Sequence, residues 1–239
     1  MIVVVGSPIA QPTVHGIRAG GLSADVARAI AAAGASVQIV GRVGEDPTGD
    51  VVLLALAAND VGHVAVLREP ARPTPIADPP TIPPVGPDES ADPDGAALGA
   101  AVLDDDDVTD RVGGAEDDAD PGMPLGGLSV DADDLELALR YVPDYRVLVV
   151  AADLDPEAIE SVAAAVAWSG AHLVVLLADG SATPAIPDEA TVFLRPVTDP
   201  DGAFAAMVAG YAVALDRGDE PGDAFAAAQR SGGWLAVAD

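Results

Sequence analysis

The chain has no cysteine, no lysine and a single asparagine among its 239 residues. Without cysteine there are no disulfides, thiolate metal sites or thiol nucleophiles. Aromatic residues make up only 3%, so a core must be assembled from Ala, Val, Leu and Ile, a composition that suits helices packed on a β-branched sheet. The longer apolar runs, such as Val51–Ala58 and Val147–Ala152, fall well short of the roughly 18–20 residues that cross a bilayer. The N-terminus lacks the basic stretch of a secretory leader. The expectation is a soluble, cytoplasmic protein with no membrane partner. All 11 basic residues are arginine and face 39 Asp plus Glu, for a net charge of −28. Nucleic acid is excluded as a partner because its phosphates demand a basic footprint. An acidic, lysine-free surface suits molar salt, where the Debye length falls to about 3 Å and self-repulsion is screened. A halophilic cytoplasm is therefore expected.

The length suits one substantial core, and composition divides the chain. Residues 1–62 and 125–239 read as patterned α/β sequence. Residues 77–124 read as a Pro/Asp-rich insertion: nine prolines fall between Pro70 and Pro93, and nine acids between Asp104 and Asp120. Proline denies a sheet its donors and dense like charge resists packing, so this stretch is expected to leave the core. Before it, His63–Leu67 alternates well enough for a strand. The apolar run Ile2–Val5 reads as a strand buried on both faces. Asp131 to Asp134 can cap a helix running to Tyr141. Arg146–Val150 and His172–Leu177 read as strands, and Pro156–Ser169 as a helix that Gly170 stops. Phe204, Met207, Val208, Tyr211 and Leu215 have helical spacing, with a further helix around Pro221–Gln229. The alternation predicts a three-layer α/β fold on a mostly parallel, doubly wound sheet.

The stretch Gly20–Asp50 carries the densest information: a glycine pair, an alanine-rich helix, a strand and a GxxGxDxxG turn in direct succession. Gly20 and Gly21 allow close approach of a ligand or another segment. Asp46, within the turn, is expected to bond nearby backbone amides. His15, His63 and His172 stand isolated, and the run Asp104–Asp107 lacks a turn that would converge its carboxylates, so no metal site is expected.

That order of parts, with Val208-Ala209-Gly210-Tyr211 and the helices after it, resembles the ribokinase-like, or PfkB, family of carbohydrate and nucleoside kinases. The resemblance implies a small β lid, placed over residues 63–76, through which two copies would form a homodimer. It implies a substrate site at Gly20, Gly21 and Asp25, the last standing where the family carries Asn. Gln11, in Gly6-Ser7-Pro8-Ile9-Ala10-Gln11, occupies the place of a sugar-gripping Asp. It lays Asp199-Pro200-Asp201-Gly202-Ala203-Phe204-Ala205 over the family's DTTGAGD segment, so that Gly202 and Ala203 would face phosphate. The catalytic base position is then Ala205, whose methyl group cannot accept a proton, and Asp201 is the fallback. With Asn59 the lone asparagine, an NxxE metal motif cannot exist, and the GxG nucleotide loop is reduced to Asp179-Gly180. The resemblance thus implies a protein with weak or lost phosphotransfer that still binds a small polyol or nucleoside. The alternatives are an active sugar kinase using ATP and Mg2+, and a non-catalytic structural or regulatory subunit.

Overall fold

The computed structural model describes residues 1–77, 127–178, 185–196, 199 and 201–231. The expected insertion over 77–124, apart from Ala77, and the Asp179-Gly180 loop lie outside the described residues.

Six parallel strands form the central sheet. They are β1 (Ile2–Val5), β4 (Val37–Gly44), β5 (Gly62–Glu69), β6 (Val147–Val150), β7 (His172–Ala178) and β8 (Thr191–Arg195), in the order β5-β4-β1-β6-β7-β8. The strand at the centre is the first in sequence, pairing with β4 through Val3↔Gln38 and with β6 through Val3↔Leu148. Alternation along these strands divides two cores. Ile2, Val4, Val147, Val149, Val174 and Leu176 point to the layer made by helices α1 (Leu22–Ala32), α2 (Pro47–Ala57), α5 (Ala203–Arg217) and α6 (Pro221–Ser231). Val3, Val5, Leu148, Val150, Leu173 and Val175 point to α3 (Ala132–Tyr141) and α4 (Pro156–Ser169). Continuous apolar strands thus serve two covered faces, which is how buried parallel sheets are built.

The helix signals act as their chemistry requires. Asp131 and Asp134 form a reciprocal capping box at the start of α3, and Asp155 caps α4, accepting from the N–H of Ala158 at 2.7 Å. Few as they are, the aromatics gather. Phe193 of β8 meets Tyr211 edge-on with ring centres 5.3 Å apart and Phe225 in a stack at 6.0 Å, fastening the edge strand to α5 and α6.

One expectation is corrected. His63–Leu67 is no lid strand: it belongs to β5 and pairs parallel with β4, as in Val40↔Ala65 and Arg42↔Leu67. The separate small sheet is instead a hairpin of β2 (Ile9–Thr13) and β3 (Gly16–Gly20). Only the end of the expected lid region reaches it. Ile76 forms a parallel bridge to Ala10, where the N–H of Ala10 donates to Pro75 and that of Ala77 donates to Ala10, both at 2.8 Å. The reason is sequential order, since a chain leaving α2 beside β4 meets the unpaired edge of β4 first.

Candidate functional site

A doubly wound sheet offers its ligand crevice at the carboxyl ends of the strands, where strand order reverses. Here that point lies at β1, whose neighbours come from the two halves of the chain. The segment following β1 is tightly held. Ser7 Oγ donates to the carbonyl of Leu128 at 2.5 Å and accepts from the N–H of Arg42 at 2.8 Å. A Cβ on Gly41 would stand 2.7 Å from the carbonyl oxygen of Gly6, so the backbones at this end of β1 and β4 are in direct contact.

Arg42 organises the neighbouring corner. Its guanidinium grips Asp134 through two contacts of 2.7 Å and reaches Glu69 and Asp131 at 3.3 Å each. The bond to Asp134 raises the Arg42 pKa above its ordinary value, against the opposing effect of burial. Beside it, the Asp46 carboxylate accepts from the N–H of Gly49 and of Thr74, each at 2.6 Å, and these two bonds hold its pKa below the usual aspartate value. The expectation that Asp46 bonds backbone amides is met, with a second partner 28 residues away.

The hairpin and α1 bring Gln11, Gly20, Gly21 and Asp25 together. The Gln11 side chain lies over Gly20, where a Cβ would come within 2.6 Å of its Oε1. Gly21 is the N-cap of α1 at φ 84°, a left-handed conformation that disfavours any side chain, and the helix start has no side-chain cap. Asp25 lies in the first turn, and its Oδ1 receives Arg18 of β3 at 2.7 Å as well as Arg28. Neither arginine was singled out from the sequence. The Asp25–Arg28 spacing of three residues on a helix was the available signal, whereas Arg18 depends on a hairpin with no glycine-centred turn to announce it.

The second group of expected residues lies at the start of α5. That end is on the carboxyl side of the sheet, because Asp216 at the other end of α5 pairs with the Met1 amino group, which precedes β1, at 2.7 Å. Gly202 is the N-cap at φ 68°, followed by Ala203. The N–H groups of Phe204 and Ala205, which would be free to hold an anion, donate instead to the Asp199 carboxylate at 3.0 Å each. Ala205 is 2% exposed and packs in the core, while Asp201 is exposed in the turn before the helix. Helices α1 and α5 pack side by side, so both groups belong to one side of the sheet. Away from it, a groove of about 1120 Å3 runs between α3 and α4, lined by Leu139, Tyr145 and Trp168 among others, and contains none of the expected site residues. Among the described residues no three potential metal ligands converge, and no helix is long and apolar enough to cross a membrane.

Solved structures share this architecture. The ribokinase of Arabidopsis thaliana, complexed with ribose and ATP, is similar over 97% of this chain and 90% of its own, at 19% identity and a TM-score of 0.56. A carbohydrate kinase from Agrobacterium tumefaciens is similar over 100% of this chain and 91% of its own, at 14% identity and a TM-score of 0.55. A PfkB protein from Polaromonas sp. JS666 covers 97% and 94%, at 15% identity and a TM-score of 0.55. No family model matches the chain, and no curated protein matches it by sequence. The chain therefore has the fold of the ribokinase-like, PfkB-type carbohydrate kinases: a mostly parallel α/β sheet between helical layers, with a small antiparallel hairpin beside it.

Proposed function

We propose that the protein is a divergent ribokinase-like member that binds a small polyol or nucleoside beside Gln11, Gly20, Gly21 and Asp25 and has lost phosphotransfer. The observation that carries this reading is the start of α5. A kinase of this fold needs a base for the attacking hydroxyl and open amides for the transferring phosphoryl group. Ala205 supplies no base. The amides of Phe204 and Ala205 already hold a carboxylate, Asp199, at 3.0 Å each, and that negative charge repels a phosphoryl group brought to the same place. A general base contributes about 10²- to 10⁴-fold in rate, so its loss together with a filled anion site leaves little catalysis. ATP and Mg2+ enter only in the alternative, an active sugar kinase in which Asp201 is the base.

The test is turnover. With ATP, Mg2+ and a panel of sugars and nucleosides in molar KCl, no phosphorylated product is expected. Product that appears, and disappears in Asp201→Asn, establishes the active kinase instead. Two further parts of the reading concern the setting: a salt-rich cytoplasm, supported by the net charge of −28, and a homodimer through the hairpin, supported by the exposure of Val14 and Ile17 on it and of Ile76 bridged to it.

A further inference from the structure

We infer that the part-exposed cluster of Arg18, Arg28 and Asp25 between the hairpin and α1 selects an anionic polyol, a sugar carboxylate or sugar phosphate, over a neutral sugar. This rests on the polyol-binding reading of the same place and adds the charge of its ligand. The chain has 11 basic residues and a net charge of −28, yet two of its arginines converge on one carboxylate here. Arg18 comes from β3 and Arg28 from α1, and both bond Oδ1 of Asp25. One arginine neutralises Asp25, and the second leaves a local positive charge. The three side chains are 35%, 31% and 30% exposed, so a solute can reach them. Among the described residues Arg28 Nε is buried without a hydrogen-bond partner. Oδ2 of Asp25 accepts no bond among the described residues, leaving it able to receive a hydroxyl. Gln11, directly across the hairpin from Arg18, adds an amide that can donate to or accept from further hydroxyls. Guanidinium forks match carboxylate and phosphate geometry, and charge-assisted bonds are about twice as strong as neutral ones.

Calorimetric titration of the full chain in molar KCl tests this with ribose and ribitol as neutral ligands, ribonate as the carboxylate arm and ribose 5-phosphate as the phosphate arm. At least one anionic ligand is expected to bind about tenfold or more tightly than ribose, a difference within reach of one charged contact. Arg18→Gln and Arg28→Gln should each bring the ratio of anionic to neutral affinity towards one, and if a variant does not fold, the ratio in the unaltered chain decides. If ribose or ribitol binds and the anionic ligands bind no better, the charge inference is overturned while the polyol reading stands. If none of the ligands binds, the charge inference and the polyol reading both fall. If acetate or inorganic phosphate competes as well as ribonate or ribose 5-phosphate, the site attracts simple anions and the inference is again overturned.

Discussion

Removing the Asp46 carboxylate should cost more than a helix cap, because one side chain holds two segments. Asp46 caps α2 through the N–H of Gly49 at 2.6 Å and, through its other oxygen, accepts the N–H of Thr74 at the same distance. Thr74 is 3% exposed, and its hydroxyl accepts from the N–H of Gly44 at 2.9 Å. Asp46→Ala removes the cap, about 1 kcal/mol, and strands a buried donor, about 1–3 kcal/mol. A total near 3 kcal/mol, at about 3 °C per kcal/mol for a chain of this size, lowers Tm by about 9 °C. Asp46→Asn separates the parts. Asn caps nearly as well as Asp, but its amide group presents a donor to the N–H of Thr74, so about half of the loss should remain. Acidity gives an independent check. The folded pKa of Asp46 is depressed, so the unfolded chain takes up its proton more readily than the folded one. The stability tied to this ionisation is present above the ordinary aspartate range and lost as pH falls through the depressed folded value. Thermal melts followed by circular dichroism should therefore show the gap between wild type and Asp46→Ala closing on acidification. A gap that widens instead, or an Asp46→Ala protein melting within about 2 °C of wild type, would refute the bond assignment and its energy.

Three further outcomes are expected. Arg42→Ala leaves Asp134, whose side chain is 9% exposed, without its counter-ion, and should destabilise by about 3 kcal/mol in urea unfolding; an unchanged midpoint contradicts the burial of that pair. Gly41→Ala would bring a Cβ to 2.7 Å from the Gly6 carbonyl and 2.8 Å from Ser7 Cα, both backbone atoms with little freedom to give. It should lose about 1–3 kcal/mol, whereas Gly34→Ala, which meets nothing within 4 Å among the described residues, loses only what its left-handed φ imposes. Finally, Tm should rise from low salt to molar KCl as screening relieves the charge of −28, and a flat profile removes the halophilic reading.

What the sequence made legible was whatever local chemistry decides. Helix α4 runs from Pro156 to Ser169 with Asp155 before it and Gly170 after it, and each boundary is marked by a residue whose backbone preference is strong. Residues Ile2–Val5 could be read because a strand covered on both faces leaves no room for polar positions. Partner choice was not legible in this way. His63–Leu67 has strand composition whether it sits in a lid or beside β4, since alternation states that a strand exists and not which edge it joins. The hairpin turn at Val14-His15 lacks the Asn-Gly type of pair that announces such turns. Strand β8 is short, and its security depends on Tyr211, whose hydroxyl lies 2.8 Å from Thr191 Oγ1. At the site, Gln11, Gly20, Gly21 and Asp25 could be proposed together only because the sequence resembles the ribokinase-like family there. The two arginines on Asp25 required the hairpin, and the Asp199 carboxylate on the amides of Phe204 and Ala205 required the turn before α5.

The reach of Arg42 has a consequence for how this chain could change. One guanidinium touches Glu69, the last residue of β5, and Asp131, the cap of α3, at 3.3 Å each. The flanks inside that span are held as well, Thr74 by Asp46, Ile76 by its bridge to Ala10 and Leu128 by Ser7, so any loop between Ala77 and Gly127 starts and ends on fixed points. Closing such a loop costs entropy that grows only logarithmically with its length, about 0.6 kcal/mol for each doubling. The mouth, once made, is nearly indifferent to what it encloses. Segments of very different length could be exchanged between Ala77 and Gly127 at a cost smaller than the loss of Arg42 itself, leaving this stretch open to lengthening and shortening while the six-stranded sheet stays as it is.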